Sequence, residues 1–333
     1  MNAEIGVKNS HSLKEVGILT YAFGEERYLD YAVNLALSLR LHMPDLKRAI
    51  VTDRENAEIL AAFDLIIPFN AEFGWGVAHK TYMDRYSPFD ETLFIDADCL
   101  VSRPFPEELQ AIRQFDFTPA VEEVLTPQDS NIFFHDLGET MRRLKLEEIP
   151  KFNGGVYFFR NGSEKTQQMF SEARKLTDRC HELGLRGFRK TGPNDESVFS
   201  LALSRSGFHT FYRDQGRLMR TPLGMHGPLA IDVMGGGTRF VKLGILVQPA
   251  ICHFCGGFVN WVEYRGEALK LRTHFQISEA SALDRWSIGC RLVVMRIWVL
   301  IFGRVVSKHE LRKLKRRLKR KLKNALRRLI LRR

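Results

Sequence analysis

The segment Leu93-Phe94-Ile95-Asp96-Ala97-Asp98 constrains this chain more than any other. Its three apolar residues predict a buried strand, and two carboxylates follow at positions i and i+2. Because side chains alternate along an extended chain, Asp96 and Asp98 are expected to point the same way from the strand's end. Neighbouring carboxylates repel each other unless a cation lies between them, and Mg²⁺ and Mn²⁺ accept oxygen ligands. The segment therefore predicts a divalent-cation site at the end of a strand, although Asp-x-Asp also occurs in exposed turns.

Short apolar segments alternate with amphipathic ones along the first hundred residues. The pattern predicts strands at residues 16–21, 49–52, 64–67 and 93–95, and helices at residues 28–39 and 80–86. This alternation favours a parallel sheet flanked by helices. Further along, it predicts a strand at residues 154–159 and helices at residues 164–183 and 195–204. The glycine- and proline-rich residues 221–238 are expected to form a loop, either a lid or a plain surface loop.

The charge of the chain is distributed unevenly. The 333 residues carry a net charge of +11, yet residues 286–333 alone contain 17 Lys or Arg and a single acid, Glu310. The preceding residues hold 33 basic and 38 acidic side chains and are therefore mildly acidic. The whole chain has 44% hydrophobic residues, and its acidic part is expected to fold as a globular body. We expect a catalytic domain at residues 1–280 and a cationic tail at residues 281–333.

The cysteines do not form a regular framework. They occupy positions 99, 180, 252, 255 and 290, so Cys252 and Cys255 form one C-x-x-C pair with no second pair to complete the usual zinc site. Two packed free thiols are favoured over a redox dithiol. The first fifteen residues contain no apolar stretch typical of a signal peptide. These features predict a protein of a reducing, cytoplasmic compartment.

Several short segments, taken in order, resemble the GT-A glycosyltransferases, and most closely the retaining family-8 type that includes glycogenin and bacterial lipooligosaccharide galactosyltransferases. The resemblance covers roughly residues 16–261 and implies a mixed α/β sheet, Rossmann-like and flanked by helices. Each match is short, and the ordered set is more specific than any member. The matching segments are Leu19-Thr20 followed by Tyr28, Lys80 ahead of Asp96-Ala97-Asp98, Phe152-Asn153-Gly154-Gly155-Val156, Asn194-Asp195-Glu196 and His253-Phe254-Cys255-Gly256.

The resemblance implies a role for each matched position. Asp96, Asp98 and His253 would hold Mn²⁺ or Mg²⁺, and the imidazole nitrogen favours Mn²⁺ because it is a softer ligand than oxygen. Asp195 and Asn153 would act at the donor sugar and the reacting centre. The implied donor-binding residues are Thr20, Tyr21, Tyr28, Lys80, Asp96, Ala97, Asp98, Asn153, Gly154, Gly155 and Gly256. Asp195 also has a plain structural interpretation, as an acidic residue in the first turn of a helix.

Two positions depart from the family pattern His-x-x-Gly-x-x-Lys-Pro-Trp. His253, Gly256 and Trp261 keep its spacing, but Val259 and Asn260 replace the Lys-Pro pair. The family lysine contacts the diphosphate, so its absence is expected to weaken stabilisation of the leaving group. Lys80, Arg265 or another basic group would have to substitute, or the diphosphate is held differently, or activity is low.

The cationic tail has the pattern of an amphipathic helix. Leucines recur every three or four residues from Leu311 to Leu329, with Lys or Arg between them, and residues 292–302 form an apolar stretch interrupted by Arg296. That stretch is too short to span a bilayer comfortably, so an interfacial segment on an anionic membrane is favoured. Nucleic-acid binding and a solvated or partner-binding helix are the alternatives.

Together these observations predict a cytoplasmic, peripherally membrane-attached glycosyltransferase. The expected reaction moves a sugar, with retention, from a nucleotide-sugar such as a UDP-sugar to a lipid-linked or surface-glycan acceptor. A nucleotidyltransferase on a related fold is the first alternative, although the residues after the first strand include only one glycine, Gly24, where that class is usually rich in glycine and lysine. A non-catalytic membrane-associated binder is the second, because Val259 replaces the family lysine.

Overall fold

We describe the protein from a computed structural model, in which residues 15–187 and 192–277 are described. The strands are β1 Val16–Ala22, β2 Lys47–Thr52, β3 Leu65–Pro68, β4 Glu91–Ile95, β5 Cys99–Val101, β6 Phe117–Leu125, β7 Ile149–Arg160, β8 Met219–Arg220, β9 Met225–Asp232, β10 Gly237–Lys242, β11 Ile245–Val247 and β12 Ile251–His253. The α-helices are α1 Arg27–His42, α2 Ala57–Ala62, α3 Met83–Tyr86, α4 Pro106–Ile112, α5 Leu137–Leu144, α6 Glu164–Asp178, α7 Asp195–Arg205 and α8 Val262–His274. Short 3₁₀ helices cover Ala71–Phe73, Val77–Tyr82 and Phe258–Asn260.

The central layer is a six-stranded mixed sheet in the order β3-β2-β1-β4-β7-β6. The first four strands run parallel, while β7 is antiparallel to both β4 and β6. All five residues of β4 are buried, as expected of a strand covered on both faces. The expected mixed α/β sheet flanked by helices is confirmed.

The predicted elements differ from the observed ones mainly at their ends. Strand β7 begins five residues before Gly154, because its first part pairs with β6 around a register shift. Helix α6 ends at Asp178 rather than near residue 183, and Leu183 N–H instead bonds to the carbonyl of Arg179 in the following turn. Strand β6 was not predicted, and Pro119, a residue type that is unusual in strands, lies within it.

Residues 221–238 do not form a loop. They contain strand β9 and the start of β10. These two strands pair in antiparallel register and are joined by residues 233–236. Strand β11 then pairs with β10, giving a small sheet in the order β11-β10-β9. The lid and surface-loop interpretations of this segment are therefore both wrong, since the glycines occupy turns and strand positions of a regular sheet.

A third sheet carries the residues that follow the Asp pair. Its order is β5-β12-β8, with Cys99 opposite His253 and Cys252 opposite Leu100. Helix α1 packs against β5 and α8, and its buried residues belong to two of the three apolar clusters that form the core. This arrangement fixes β12 beside the end of β4.

The predicted cationic tail, residues 281–333, lies outside the described residues, as does its predicted boundary with the catalytic domain. Over residues 15–187 and 192–277, no helix has the length and apolar character needed to cross a membrane.

Candidate active site

Asp96 and Asp98 lie in a turn between β4 and β5, not on an extended strand. The Cys99 N–H donates to the Asp96 carbonyl at 3.0 Å, which closes the turn, and the Asp96 N–H donates to the Gly155 carbonyl at 2.9 Å. The Asp98 carbonyl accepts from Phe254 N–H at 2.9 Å. The predicted alternation of an extended chain is therefore wrong for this pair. The turn is nevertheless fixed by β7 on one side and by the end of β12 on the other.

His253 brings the two carboxylates together. Its Nε2 lies 3.0 Å from Asp98 Oδ1 and 3.7 Å from Asp96 Oδ2. Its Nδ1 lies 2.5 Å from Asn153 Oδ1, while Asn153 Nδ2 donates to Glu196 Oε1 at 3.2 Å. Because the Asn153 oxygen is then the atom that faces the ring, Nδ1 carries a hydrogen and Nε2 is directed at the acids.

Burial and charge act in opposite directions on this group. Burial alone lowers the pKa of His253, but the nearby Asp98 carboxylate outweighs it and the net pKa is raised. For Asp98 the attraction of His253 outweighs burial, so its pKa is lowered. Burial dominates at Asp96 and raises its pKa. The pKa directions of Asp98 and His253 show that the Asp98 carboxylate favours a positive charge beside it.

The donor atoms fit a divalent cation. In the described ranges, the potential ligand atoms of Asp98, Cys99 and His253 lie within 4.8 Å of one another. Cys99 is fully buried, and burial raises the pKa of its thiol, so the thiolate that binds metals is disfavoured. Asp96 is not part of that group, although its Oδ2 lies 3.7 Å from His253 Nε2. The predicted set Asp96, Asp98 and His253 would supply two oxygens and one nitrogen, with the imidazole oriented by Asn153, and it stays a prediction.

Lys80 links the Asp pair to a second acidic group. It lies in the 3₁₀ helix Val77–Tyr82, and its Nζ donates to Asp96 and to Asp195 Oδ2 at 2.8 Å each and to the Gly154 carbonyl at 2.9 Å. Burial would lower the pKa of Lys80, but Asp195 and Asp96 outweigh it and raise the pKa. The ammonium, for which the family resemblance implies a role at the nucleotide, is thus coordinated by two carboxylates and a carbonyl.

Asp195 begins α7 and faces the same cluster. Asn194 caps the helix through its Oδ1, which accepts from Ser197 N–H at 3.3 Å. Asp195 is buried, and its Oδ2 accepts from the Tyr157 hydroxyl at 2.9 Å as well as from Lys80. An acidic residue that only stabilises the first turn of a helix can remain in solvent. Asp195 is instead buried and accepts two side-chain hydrogen bonds.

Glu196 and Tyr157 belong to the site, although the sequence had assigned them no role. Glu196 Oε1 accepts from the Gly154 N–H at 3.0 Å and from Asn153 Nδ2. Burial, followed by repulsion from Asp195, raises the pKa of Glu196 to about 7. The available signal was that Glu196 directly follows Asp195 in the first turn of an apolar helix.

Gly154 and Gly155 allow β7 to approach these side chains. A Cβ at position 154 would lie 2.6 Å from Asp195 Oδ2, and one at position 155 would lie 2.8 Å from the His253 Cγ. Neither glycine has a left-handed φ, so close packing, not backbone conformation, is what requires them.

The other predicted donor-binding residues lie in β1, in α1 and after β12. Thr20 is fully buried, and within the described part of the chain its Oγ1 and the Tyr21 hydroxyl lack hydrogen-bond partners. Tyr28 lies on the first turn of α1 with the Arg27 guanidinium 5.3 Å from its ring centre. Gly256 follows β12 with a φ of 66°. No described hydrogen bond joins Thr20, Tyr21, Tyr28 or Gly256 to the acidic cluster. Ala97, by contrast, lies in the turn that carries Asp96 and Asp98.

The position of the missing family lysine points into the core. Val259 lies in the 3₁₀ helix Phe258–Asn260, is buried, and belongs to the same apolar cluster as Tyr264. Arg265 is exposed on α8. The 3₁₀ helix therefore presents no cation at this position.

An aromatic cluster, which the sequence did not indicate, lies beside the carboxyl ends of β1 and β3. The centroid of the Phe69 ring lies 4.3 Å from that of Phe23, 4.6 Å from that of Trp75 and 4.8 Å from that of His79. His79 directly precedes Lys80, so the cluster adjoins the acidic site. Trp75 remains 54% exposed.

Comparison with solved structures relates this architecture to known proteins. The galactosyltransferase LgtC, solved in complex with donor and acceptor sugar analogues, has a TM-score of 0.51 and 14% identity over 81% of this chain and 99% of its own. The glycosyltransferase GlyE of Streptococcus pneumoniae TIGR4 has a TM-score of 0.38 and 14% identity over 55% of this chain and 42% of its own. The bifunctional protein WbbM has a TM-score of 0.46 and 11% identity over 86% and 53%. No protein-family model and no curated protein matches the chain. The likeness to LgtC confirms the fold expected from the family resemblance.

Proposed function

We propose that this protein is a metal-dependent glycosyltransferase that uses a nucleotide-sugar, with a UDP-sugar as the first candidate. The observation that carries the proposal is the continuous buried network from His253 through the Asp pair and Lys80 to Asp195. One end of this network would supply the ligands for a cation, and the other presents a carboxylate beside Gly154. A nucleotide-sugar needs both, because its diphosphate and its sugar must be held at once.

Asp96, Asp98 and His253 would hold Mn²⁺ or Mg²⁺. When bound, the cation would neutralise the negative charge of the diphosphate leaving group. Asn153 keeps the His253 ring in one orientation through Nδ1, so that Nε2 stays directed at the carboxylates. Lys80, held between Asp96 and Asp195, fixes the distance between the metal ligands and the group proposed to meet the sugar.

Asp195 and Asn153 would act at the donor sugar. The absence of side chains at Gly154 and Gly155 supports close approach of a ligand to β7. Asp195 is held by Tyr157 and Lys80, so its carboxylate is already ordered before a donor binds. Retention of configuration is proposed on the family resemblance.

The aromatic cluster around Phe69 would receive the base. Trp75 is exposed beside it, and base–aromatic stacking contributes about 1–3 kcal/mol per base. Because the cluster lies next to Lys80, this arrangement would direct the diphosphate toward the Asp pair. Val259 is buried and Lys80 donates all three of its ammonium hydrogens within the network, so the bound metal ion would have to neutralise the diphosphate.

The acceptor is proposed to be lipid-linked or a surface glycan. The support is the composition of residues 286–333, whose cationic and apolar pattern suits an anionic membrane surface. The enzyme would then work in the cytoplasm, attached peripherally to the membrane.

Hydrolysis of a panel of nucleotide-sugars tests this function. With Mn²⁺ we expect slow release of sugar from one donor, loss of that release with EDTA, and loss in Asp98→Asn. Asp129→Asn, an exposed turn residue, is the matched control and should behave as wild type. Formation of a nucleotide-sugar from a sugar phosphate and a nucleoside triphosphate would instead identify a nucleotidyltransferase. Tight donor binding without turnover, even with candidate acceptors, would identify a binder.

A further inference from the structure

The small sheet β11-β10-β9 ends in an apolar tip. Leu243 is 78% exposed, Ile245 66% and Leu246 57%, and Leu223, which precedes β9 at the same end, is 58% exposed. These are four of the nine exposed large apolar side chains among the residues that the structure describes. Apolar side chains concentrated at one point indicate an interaction surface rather than chance exposure.

The turn at this tip is not built for stability. Leu243 has a φ of 52° and Gly244 a φ of 79°, so two consecutive left-handed residues connect β10 to β11. Such turns favour Asn or Asp followed by Gly, while a bulky apolar residue at positive φ is unfavourable. Leucine at position 243 therefore costs conformational energy and also exposes an apolar side chain. A function outside the folded body would explain its presence.

The apolar tip extends over both faces of the sheet. Ile245 pairs with Lys242 and Leu246 pairs with Val241, so the two neighbouring side chains point to opposite faces. A flat protein partner would cover only one face. A lipid surface, into which the tip inserts, contacts both faces at once.

We propose that the tip Leu243–Leu246, together with Leu223, inserts into the boundary between headgroups and acyl chains of an anionic membrane. Lipid is the chosen occupant because apolar side chains cover both faces of the tip and because residues 286–333 contain 17 Lys or Arg and a single acid. The positive charge of those residues complements anionic lipid.

The tip is also connected to the candidate active site. Lys242 Nζ lies 3.4 Å from the Thr221 carbonyl, and Thr221 Oγ1 lies 3.1 Å from the Sγ of Cys255, two residues after His253. Insertion would therefore hold the His253 segment near the membrane surface, where a lipid-linked acceptor resides. This placement rests on the proposed function, whereas insertion itself does not.

Binding of the full-length chain to vesicles tests the inference. We compare phosphatidylglycerol–phosphatidylcholine vesicles with pure phosphatidylcholine vesicles, using Leu243→Asn, Leu243→Gly and Leu243→Asn/Ile245→Thr. Removing one or two inserted aliphatic side chains should weaken binding to the anionic vesicles about tenfold or more. Leu60→Gln on α2, where the leucine is also 58% exposed, is the matched control and should bind as wild type.

Thermal unfolding separates insertion from folding. Since Asn and Gly both suit the left-handed turn, Leu243→Asn and Leu243→Gly should melt at or above the wild-type temperature while binding vesicles less tightly. Wild-type binding by all tip variants would overturn the inference, and so would failure of the wild-type chain to bind either vesicle. Self-association in lipid-free buffer that is lost in Leu243→Asn would also overturn it, in favour of a second copy as the occupant.

Hydrolysis of a free nucleotide-sugar is measured in parallel. It should be unchanged in the tip variants, because none of their positions lies in the acidic cluster. If no donor is hydrolysed but vesicle binding still depends on the tip, the proposed function fails and the insertion stands. If hydrolysis is normal and the tip has no effect on vesicle binding, the insertion fails alone.

Discussion

At the scale of single residues, Lys80 determines whether the acidic groups of the site can coexist. Its ammonium is almost completely buried between Asp96 and Asp195, which face each other across it. Without Lys80, two buried carboxylates would lose their common counter-charge. The same ammonium also bonds to the Gly154 carbonyl, so it connects the charges to the strand beside the proposed sugar site.

Replacing Lys80 with methionine should therefore destabilise the protein strongly. Removal of one partner from a buried ion pair costs about 3–5 kcal/mol of unfolding free energy, because the remaining charge is left uncompensated. Urea unfolding of Lys80→Met measures this loss, and donor hydrolysis should disappear with it. The control is Lys47→Met, whose exposed ion pair with Glu15 should contribute less than about 1 kcal/mol. Equal losses in the two variants would contradict the central role of Lys80.

Glu196 gives the site a dependence on pH. In the folded protein its pKa is about 7, compared with an ordinary value of 4.5. The folded state therefore binds more protons than the unfolded state between those values, and stability falls as the pH rises through this window. Glu196→Gln keeps an oxygen that can accept from the Gly154 N–H but removes the titration. Its melting temperature relative to wild type should thus be higher at about pH 8 than at about pH 5.

Exposed Glu72→Gln serves as the control, with the same difference from wild type at both pH values. If Glu196→Gln also shows a constant difference, the carboxyl does not titrate in this range.

The sequence predicted part of the site at this scale. Six predicted residues do converge: Asp96, Asp98, Lys80, Asp195, Asn153 and His253. They could be predicted because each lies in a short segment, and the order of these segments resembles that of a known family. The reason given for the Asp pair was wrong, since a turn and not an extended strand brings the carboxylates to His253. Glu196 and Tyr157 could not be assigned from pattern, because their roles depend on contacts between β7 and α7.

At the scale of elements, the site depends on the close approach of β7 to the end of β12. The His253 ring occupies the space that a side chain at position 155 would need. Asn153, two residues earlier in the same strand, contacts the same ring. The six-stranded sheet and the sheet β5-β12-β8 thus meet at the proposed metal site, where the His253 ring packs against Gly155 and contacts Asn153.

Gly155→Ala tests this packing. The added methyl group must displace the His253 ring, which should weaken Mn²⁺-dependent donor hydrolysis at least about tenfold and lower stability by about 1–3 kcal/mol. Gly237→Ala, where a Cβ meets nothing within 4 Å, should leave both unchanged. Full hydrolysis in Gly155→Ala would show that the ring position does not matter for the reaction. Steady-state kinetics at several Mn²⁺ concentrations and urea unfolding measure the two effects.

The small sheet shows why element prediction failed where it did. Along β9, exposed and partly buried residues alternate strictly, as expected for a strand with one face on the core. Gly227 and Pro228 lie within that pattern, and five glycines between residues 224 and 237 made the segment look irregular. Pairing with β10 supplies the hydrogen bonds that such a composition does not secure locally.

At the scale of the whole molecule, charge and apolar packing are separated along the chain. The described residues form three buried clusters that cover the sheets and helices from β1 to α8. The residues from 286 onward carry 17 of the 50 basic side chains, and their sequence pattern predicts a cationic, amphipathic tail. Such a pattern is expected to suit a membrane interface better than a globular core.

A chain ending at residue 277 should therefore unfold cooperatively and keep metal-dependent donor hydrolysis, because the network from His253 to Asp195 lies wholly within it. It should lose most of its binding to anionic vesicles, since juxtamembrane basic residues contribute about 1 kcal/mol each.

In the full-length chain, Lys315→Glu, Arg316→Glu, Lys319→Glu and Arg320→Glu together should give the same loss without affecting hydrolysis. Added salt should weaken wild-type binding, because exposed charges are screened within about 10 Å at 0.1 M ionic strength. Aggregation of the shortened chain would show that the tail packs into the body, and binding of the full chain to duplex DNA or RNA in preference to vesicles would overturn the membrane assignment. Co-sedimentation with vesicles, thermal unfolding and donor hydrolysis on the same preparations distinguish these outcomes.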